Sequence, residues 1–162
     1  MASRDIRKNI IGVAAIVVVL LVIAFILRNI AVSWAPSRDQ YPVQGISVSA
    51  SNGDIIWHVA GATGVDFAYI QATDGSTRRD PKFAANIKGA RESGIRYGAL
   101  HDYSLCRLAT DQATMFVTTV PRGENMLPPA VRLAFDNGCG DRPGRALVLS
   151  ELNMFLNQIE AH

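Results

Sequence analysis

The sequence of 162 residues has little cysteine and no repetition. Its only cysteines are Cys106 and Cys139, which lie far apart in the chain. Two thiols are too few for a zinc site, which uses up to four cysteine or histidine ligands. No internal repeat and no low-complexity segment is found, which argues against solenoids and disordered tails. We therefore expect no metal and no cofactor.

The chain also lacks a basic surface once its N-terminal region is set aside. From Pro36 onward, 12 lysines and arginines stand against 13 aspartates and glutamates, so the net charge of this part is −1. The formal net charge of +2 for the whole chain therefore comes from the N-terminal region. Domains that bind nucleic acid carry a clear excess of basic residues. The sequence accordingly predicts no nucleic-acid partner.

What the chain does have is one long apolar run, residues 10–27, without a charged or polar side chain. A helix of that length spans roughly 27 Å, which matches the hydrocarbon thickness of a bilayer. A cleaved secretory signal has a shorter apolar core and a small-residue cleavage site, and a buried core helix would show a polar face. We therefore predict a membrane anchor over 10–28, a tail over 1–9 and a linker over 29–44.

The charges that flank this run predict the orientation of the anchor. Arg4, Arg7 and Lys8 precede it, and Arg28 alone follows it. Because positive flanks stay in the cytoplasm, the tail is expected to be cytoplasmic. The predicted location is the cell membrane, crossed once, with residues 45–162 in the periplasm or at the cell surface.

Beyond the linker, strand patterns alternate with helix patterns four times. The strands are predicted at residues 45–49, 65–73, 95–101 and 130–135. This alternation indicates parallel strands joined by right-handed crossovers. A complete (β/α)₈ barrel takes about 250 residues, so the predicted fold is an incomplete TIM-like α/β barrel of about four units, or a small open sheet. Such a domain is a fragment, leaves two strand edges open, or pairs with another copy.

The carboxyl ends of parallel strands meet at one rim, where the binding sites of such folds lie. Four short segments are expected there: Ser47–Ser49, Thr73–Asp74, His101–Asp102 and Ala134–Asp136. The pattern therefore predicts that the functional site lies at this rim.

Several segments resemble the glycoside hydrolase family 25 lysozymes. They are YPVQGISVS, GVDFAYIQATDG, DPKFAANIKGARESGIRYGALH, SLCR and LPPAVRLAF, and together they cover residues 41–162 nearly end to end. The resemblance implies a modified β/α barrel and N-acetylmuramidase activity, which hydrolyses the muramic acid–glucosamine linkage of peptidoglycan. Peptidoglycan glycan strands are the partner that the resemblance implies.

The chain departs from the family pattern at the places of the catalytic acids. The first strand of the family resembles G-I-D-V-S, and Ser47 stands at the place of the acid. The fourth resembles V-D-L-E, and Arg132 and Ala134 stand at the places of its two acids. Glycoside cleavage needs a proton donor and a second carboxylate, and loss of the donor alone costs ~10²–10⁴ in rate. We therefore expect little or no hydrolysis.

Four other residues are candidates for the groove: Asp74, His101, Asp102 and Asp136. Asp74 stands where the family has A-T-E-G, and Asp102 replaces an aromatic residue of G-A-Y-H-F. A relocated acid pair of Asp102 and Asp136 is one interpretation. The alternative, which we favour, places Asp136 in a D-N-G turn and Asp102 in a solvated loop. His101 contacts sugar or serves as a hydrogen-bonded structural residue.

Four further predictions concern cysteine pairing, function, the completeness of the sequence and self-association. Cys106 and Cys139 follow the third and fourth strands, so in an oxidising compartment they are expected to form a disulfide. The function is either that of a weakly active or inactive lysozyme-like protein or that of a membrane-anchored module that binds or scaffolds peptidoglycan without catalysis. A third hypothesis is an incomplete sequence record, with further strands encoded downstream. Open strand edges also predict self-association.

Overall fold

The structure is a computed structural model that describes residues 2–123, 125–133, 139–140 and 143–162. The chain divides into two compact units, Met1–Pro42 and Val43–His162. Each unit is described by itself.

The first unit contains a single long helix, α1, over Ala2–Ser33. Within it, Gly12–Val32 forms a stretch of 21 residues with a mean hydropathy of 2.8, and none of it is buried. Such a helix is long and apolar enough to cross a membrane. A signal sequence near the N-terminus would also have this length and composition. The predicted anchor at 10–28 lies inside α1, and the helix continues beyond it at both ends.

The second unit alternates strands and helices, as the sequence predicts. Its elements are β1 Gly45–Val48, α2 Trp57–Ala62, β2 Phe67–Asp74, β3 Arg78–Arg79, α3 Phe83–Glu92, β4 Arg96–Tyr103, α4 Ala109–Val117, β5 Leu127–Leu133 and α5 Arg145–Glu160. A short 3₁₀ turn follows β1 at Ala50–Asn52. The two-residue strand β3, which the sequence did not predict, folds back antiparallel on the end of β2.

The main sheet is parallel and has the strand order β1-β2-β4-β5. Strands that follow one another in the chain are therefore neighbours in space, with no reversal of the order. Right-handed crossovers then bring all the connecting helices to one face of the sheet. The core lies on that face, where alternate strand residues pack against the helices; its largest fully buried apolar side chains are Ile70, Phe116 and Phe155.

The last strand begins earlier than the sequence predicts. Pro128 and Pro129, which precede the strand predicted at residues 130–135, lie within β5. A proline is tolerated there because β5 is an edge strand of the described sheet, where a missing N–H breaks no ladder on the outer side. Asp54 lies before α2, which begins at Trp57. Its carboxylate accepts a hydrogen bond of 2.7 Å from Lys82 Nζ, which lowers the pKa of Asp54.

One glycine of the sheet is needed because a ring lies against it. A Cβ added at Gly98 would lie 2.6 Å from the Tyr69 ring and 3.1 Å from Leu127 Cβ. We expect Gly98→Ala to lower the free energy of unfolding by about 1–3 kcal/mol through overpacking. Gly61→Ala is the matched control, since its Cβ would meet Ile95 only at 3.7 Å. Urea unfolding of both variants checks this, and equal stabilities would contradict it.

Candidate functional site

Three charged residues stand side by side at the carboxyl end of the sheet. The strand register places Asp74 of β2 beside Asp102 of β4, and Asp102 beside Arg132 of β5. Register shifts precede this row between Gln71 and Thr73 and between Gly98 and Leu100. We call Asp74, Asp102 and Arg132 the rim row. Asp74 and Asp102 were expected at this rim, and Arg132 occupies the same level.

Each carboxylate of the rim row is paired with an arginine. Arg132 Nη2 donates to Asp102 Oδ2 at 2.5 Å, and Arg78 from β3 forms an ion pair with Asp74. The hydrogen bond to Asp102 raises the pKa of Arg132, although burial opposes this rise. Both arginine side chains are more than half exposed, so these are pairs at the surface and contribute little to stability. Their effect on chemistry is larger, because they neutralise the charge of both acids.

His101 does not lie on the rim surface. Its side chain is fully buried on the helix-facing side of β4, stacked on Phe155 with ring centroids 4.7 Å apart. Phe116 and Tyr103 contact it edge-on at 6.0 Å. The expectation of a sugar-contacting histidine therefore fails on geometry. The alternative, a hydrogen-bonded structural histidine, agrees with its position.

The hydrogen bonds of His101 define its protonation state. Gln112 donates through Nε2 to the carbonyls of Ser104 and Arg107, so its Oε1 is the atom that faces His101 Nε2, at 3.3 Å. His101 Nε2 must therefore carry the proton, and Nδ1 accepts from the Thr73 hydroxyl at 2.7 Å. Burial lowers the pKa of His101, and the hydrogen bond to Gln112 only partly opposes this. The imidazole is neutral at pH 7 and does not act as an acid at the rim.

The hydrogen bond from the Thr73 hydroxyl to His101 Nδ1 can be tested by a single substitution. Thr73→Val keeps the shape but leaves His101 Nδ1 buried without a donor, which should cost about 1–3 kcal/mol of unfolding free energy. Thr114→Val is the control, because the hydroxyl of Thr114 is exposed on α4. Thermal and urea unfolding measure both, and a loss at Thr73 no larger than at Thr114 would disprove the bond's importance.

The remaining predicted site residues are placed differently. Ser47 is exposed on β1 and lies at the level of Tyr69, well before the rim row. Ala134 and Asp136 lie outside the described residues, so the proposed pair of Asp102 and Asp136 has no geometry here. Among the residues that the structure describes, no group of three histidines, cysteines or acids could hold a metal ion.

The two cysteines form a disulfide. Cys106 lies in the loop after β4 and Cys139 in the segment after β5, and their Cα atoms are 5.7 Å apart. A second connection crosses the rim beside it, where Gly75 N–H donates to the Asp102 carbonyl at 2.9 Å. The disulfide thus ties the segments after β4 and β5, and the Gly75 bond ties the loop after β2 to the end of β4.

Two residues that shape the site were missed from the sequence. Gln112 is a polar residue in α4. Only its helical spacing from the buried Ala109 and Phe116, which places all three on one face of the helix, could have indicated that it is buried. Arg78 reaches Asp74 because β3 folds back on β2. The sequence D-G-S-T-R-R does not predict this antiparallel pairing. His101, by contrast, shares the alternate positions of Tyr97, Ala99 and Tyr103, a signal that would have placed it in the core.

Comparison with known proteins decides the family. The model of the glycosyl hydrolases family 25 matches residues 46–162. The chain belongs to this family.

The family's relatives and solved structures agree with the fold. Lysozyme M1 of Streptomyces globisporus is 44% identical over 63 residues, which are 39% of this chain and 21% of that protein. A family 25 glycosyl hydrolase from Bacillus anthracis superimposes with a TM-score of 0.70 at 31% identity, covering 74% of this chain and 56% of that one. A Streptomyces coelicolor lysozyme gives 0.67 at 30% identity, covering 74% and 58%. The family 25 chain therefore spans about a fifth of that curated relative and just over half of each solved chain.

Proposed function

We propose that this family 25 chain is a membrane-anchored, lysozyme-like protein that holds peptidoglycan glycan strands without cleaving them. The proposed layout is a cytoplasmic tail over 1–9, an anchor over 10–28, a linker over 29–44 and the lysozyme-like unit outside the membrane. The observation that carries the proposal is the ion pair between Arg132 and Asp102 at the carboxyl end of the sheet.

The chemistry of glycoside cleavage explains why this pair matters. The reaction needs one protonated carboxyl group at the leaving oxygen and one carboxylate beside the developing oxocarbenium ion. Arg132 stands where the family motif has an acid, and its fixed positive charge disfavours a cation beside it. Asp102 and Asp74 are each engaged by an arginine, so neither carboxylate stands at the rim without a cation beside it. His101 is buried and neutral, so it supplies no substitute.

Glycan binding without cleavage is what the remaining groups support. The exposed guanidinium groups of Arg78 and Arg132 keep N–H donors beyond those used in the ion pairs, and Ser47 adds a hydroxyl on the same sheet. Donors of this kind suit sugar hydroxyls and the carboxylates of peptidoglycan stems. A scaffolding role without any glycan contact is the alternative.

Incubation with insoluble peptidoglycan separates cleavage from binding. We expect the detergent-solubilised full chain to sediment with the wall material and to release no soluble fragments, whereas an intact family 25 lysozyme releases them. Arg132→Ala should weaken binding to the wall material at least about tenfold, since a hydrogen bond to a charged group contributes about 1.5–3 kcal/mol. Arg91→Ala, an exposed arginine on α3, is the matched control.

Each result bears on a separate part of the proposal. Fragment release at the rate of the intact lysozyme would refute the non-catalytic role. A chain that stays in the supernatant would refute glycan binding and favour the scaffolding alternative. Equal effects of the two arginine variants would remove the rim row from the binding site.

A further inference from the structure

A cavity of about 460 Å³ lies beside the end of β4, between the loop that follows this strand and the first turns of α5. Binding sites for small molecules are usually cavities of about 300–1,000 Å³ with mostly apolar walls and a few polar groups. This cavity has both properties. Its aliphatic wall residues are Leu105, Leu108, Pro143, Leu147 and Val148. We call it the helix cavity.

The helix cavity is separate from the rim row and from the edges of the sheet. No residue of β1, β2 or β5 lines it, and neither does the C-terminal end of α5. The described walls are therefore the same whatever strand pairs with the sheet edges and whether or not the chain continues.

One wall of the helix cavity carries a hydroxyl group without a partner. Tyr103 is only 4% exposed, and its hydroxyl is buried without a hydrogen bond to any of the described residues. Buried hydroxyl groups are nearly always hydrogen-bonded, because an unsatisfied one is costly. Edge-on contacts of 5.4 Å with Phe155 and 6.0 Å with His101 fix the position of the ring. The hydroxyl group is therefore available to a bound molecule.

Two charged residues complete the polar part of the helix cavity. Glu151 accepts the Ala109 N–H at 2.8 Å through Oε2, and its other oxygen accepts no hydrogen bond from the described part of the chain. Burial raises the pKa of Tyr103, and the charge of Glu151 adds to this rise, so the carboxylate lies close to the hydroxyl. Arg107 is exposed in the loop after β4 and lines the same cavity. Its guanidinium group forms no ion pair with the residues that the structure describes.

We propose that the helix cavity binds a free α-amino acid with an aliphatic side chain. The ammonium group of the ligand donates to the open oxygen of Glu151 and to the Tyr103 hydroxyl, and its carboxylate pairs with Arg107. The aliphatic side chain packs against the leucines of the wall.

Charge complementarity selects a zwitterion over a simple cation or anion. The cavity is lined by one acid and one base, so their formal charges cancel. An amine without a carboxylate meets the positive charge of Arg107, and a carboxylate without an amine meets the negative charge of Glu151. A zwitterion satisfies both groups, and the repulsion of singly charged molecules adds to the specificity.

Calorimetric titration of the detergent-solubilised full chain with matched probes tests this assignment. L-leucine is the probe, isoamylamine is leucine without its carboxylate, isocaproate is leucine without its ammonium group, and glycine lacks the aliphatic side chain. We expect saturable binding of L-leucine. Each of the other three should bind at least about tenfold more weakly, because each lacks either one charge-assisted contact or the apolar burial.

Two charge-removing variants show which group recognises which end of the ligand. Glu151→Gln keeps an oxygen for the Ala109 N–H and should weaken the binding of L-leucine at least about tenfold, but not that of isocaproate. Arg107→Gln should weaken L-leucine to a similar extent, but not isoamylamine. The matched controls are Glu160→Gln and Arg91→Gln, which are exposed outside the cavity and should leave leucine binding unchanged.

Tyr103→Phe tests the hydroxyl group itself. Because this hydroxyl has no partner in the described part of the chain, its removal should leave the midpoint of urea unfolding unchanged or higher, while leucine binding weakens. A lower midpoint would mean that the hydroxyl is already hydrogen-bonded in the free protein, which contradicts its role in binding.

The remaining outcomes decide the proposal as a whole. The absence of saturable binding of L-leucine would overturn it, and so would isoamylamine or isocaproate that binds as tightly as leucine. Equal effects of the cavity variants and their controls would place the ligand elsewhere. None of these measurements uses peptidoglycan or depends on the anchor, so the amino-acid site can fail while the proposed function holds.

Discussion

Phe155→Ala is expected to lower the free energy of unfolding by about 3–5 kcal/mol, the range for removal of a fully buried aromatic side chain. Phe155 has no exposed surface and is the central ring of an aromatic cluster. It stacks on His101 and meets Tyr103 and Phe116 edge-on at 5.4 Å and 6.3 Å. Its loss leaves a cavity against three rings and lets α5 separate from β4.

The matched control lies on the same helix. Leu149 in α5 is 48% exposed, so Leu149→Ala should cost less than about 1 kcal/mol. Urea unfolding followed by far-UV circular dichroism measures both variants in the same detergent. A loss of less than about 1 kcal/mol at Phe155 would mean that α5 does not cover His101, and the buried network at the end of β4 would lose its support.

The cluster around Phe155 connects the core to the rim. His101 faces the helices, and the next residue, Asp102, faces the other side of β4 and meets Arg132. The packing that fixes His101 therefore fixes the position of Asp102. Thr73 and Asp74 repeat this relation on β2, since Thr73 bonds His101 in the core and Asp74 pairs with Arg78 outside it. The rim row is held by its buried neighbours.

The sequence predicts the architecture well because the pattern that defines it is local. Alternating β-branched strands and amphipathic helices give the parallel sheet and its helix-covered face. The boundaries of α2 and β5 could not be predicted, because they depend on contacts between distant residues. Asp54, before α2, pairs with Lys82, which lies beyond β2 in the sequence. Pro129 stays in a strand because nothing pairs with the outer side of that strand in the described sheet.

The location of the site could be predicted from the sequence, but the ion pairs within it could not. Parallel strands bring Asp74 and Asp102 to one level, as expected from strand ends alone. Arg132 joins them, although Ala134–Asp136 was the segment expected there. The ion pairs among them depend on the register shifts in β2 and β5 and on the fold-back of β3, which have no sequence signature. Family resemblance added the observation that an arginine stands where the motif has an acid. Neither source indicated that the neighbouring aspartate would be its partner.

Removal of the disulfide is expected to cost roughly 3–4 kcal/mol of unfolding free energy. Cys106 and Cys139 are separated by 33 residues, and a cross-link over a loop of that length restricts the unfolded chain by about this amount. The double variant Cys106→Ala with Cys139→Ala removes the bond without leaving a free thiol. Leu108→Ala, a nearby exposed residue, is the control and should change stability by less than about 0.5 kcal/mol.

The same bond also reports the compartment of the lysozyme-like unit. If that unit lies outside the cytoplasm, the disulfide forms in the cell, and alkylation of the chain under denaturing conditions without reductant leaves both cysteines unlabelled. Reduction before unfolding should then lower the stability of the native chain to that of the double variant. Labelling of both cysteines on isolation would contradict the predicted orientation of the anchor. A stability that does not respond to reductant would contradict the contribution of the bond.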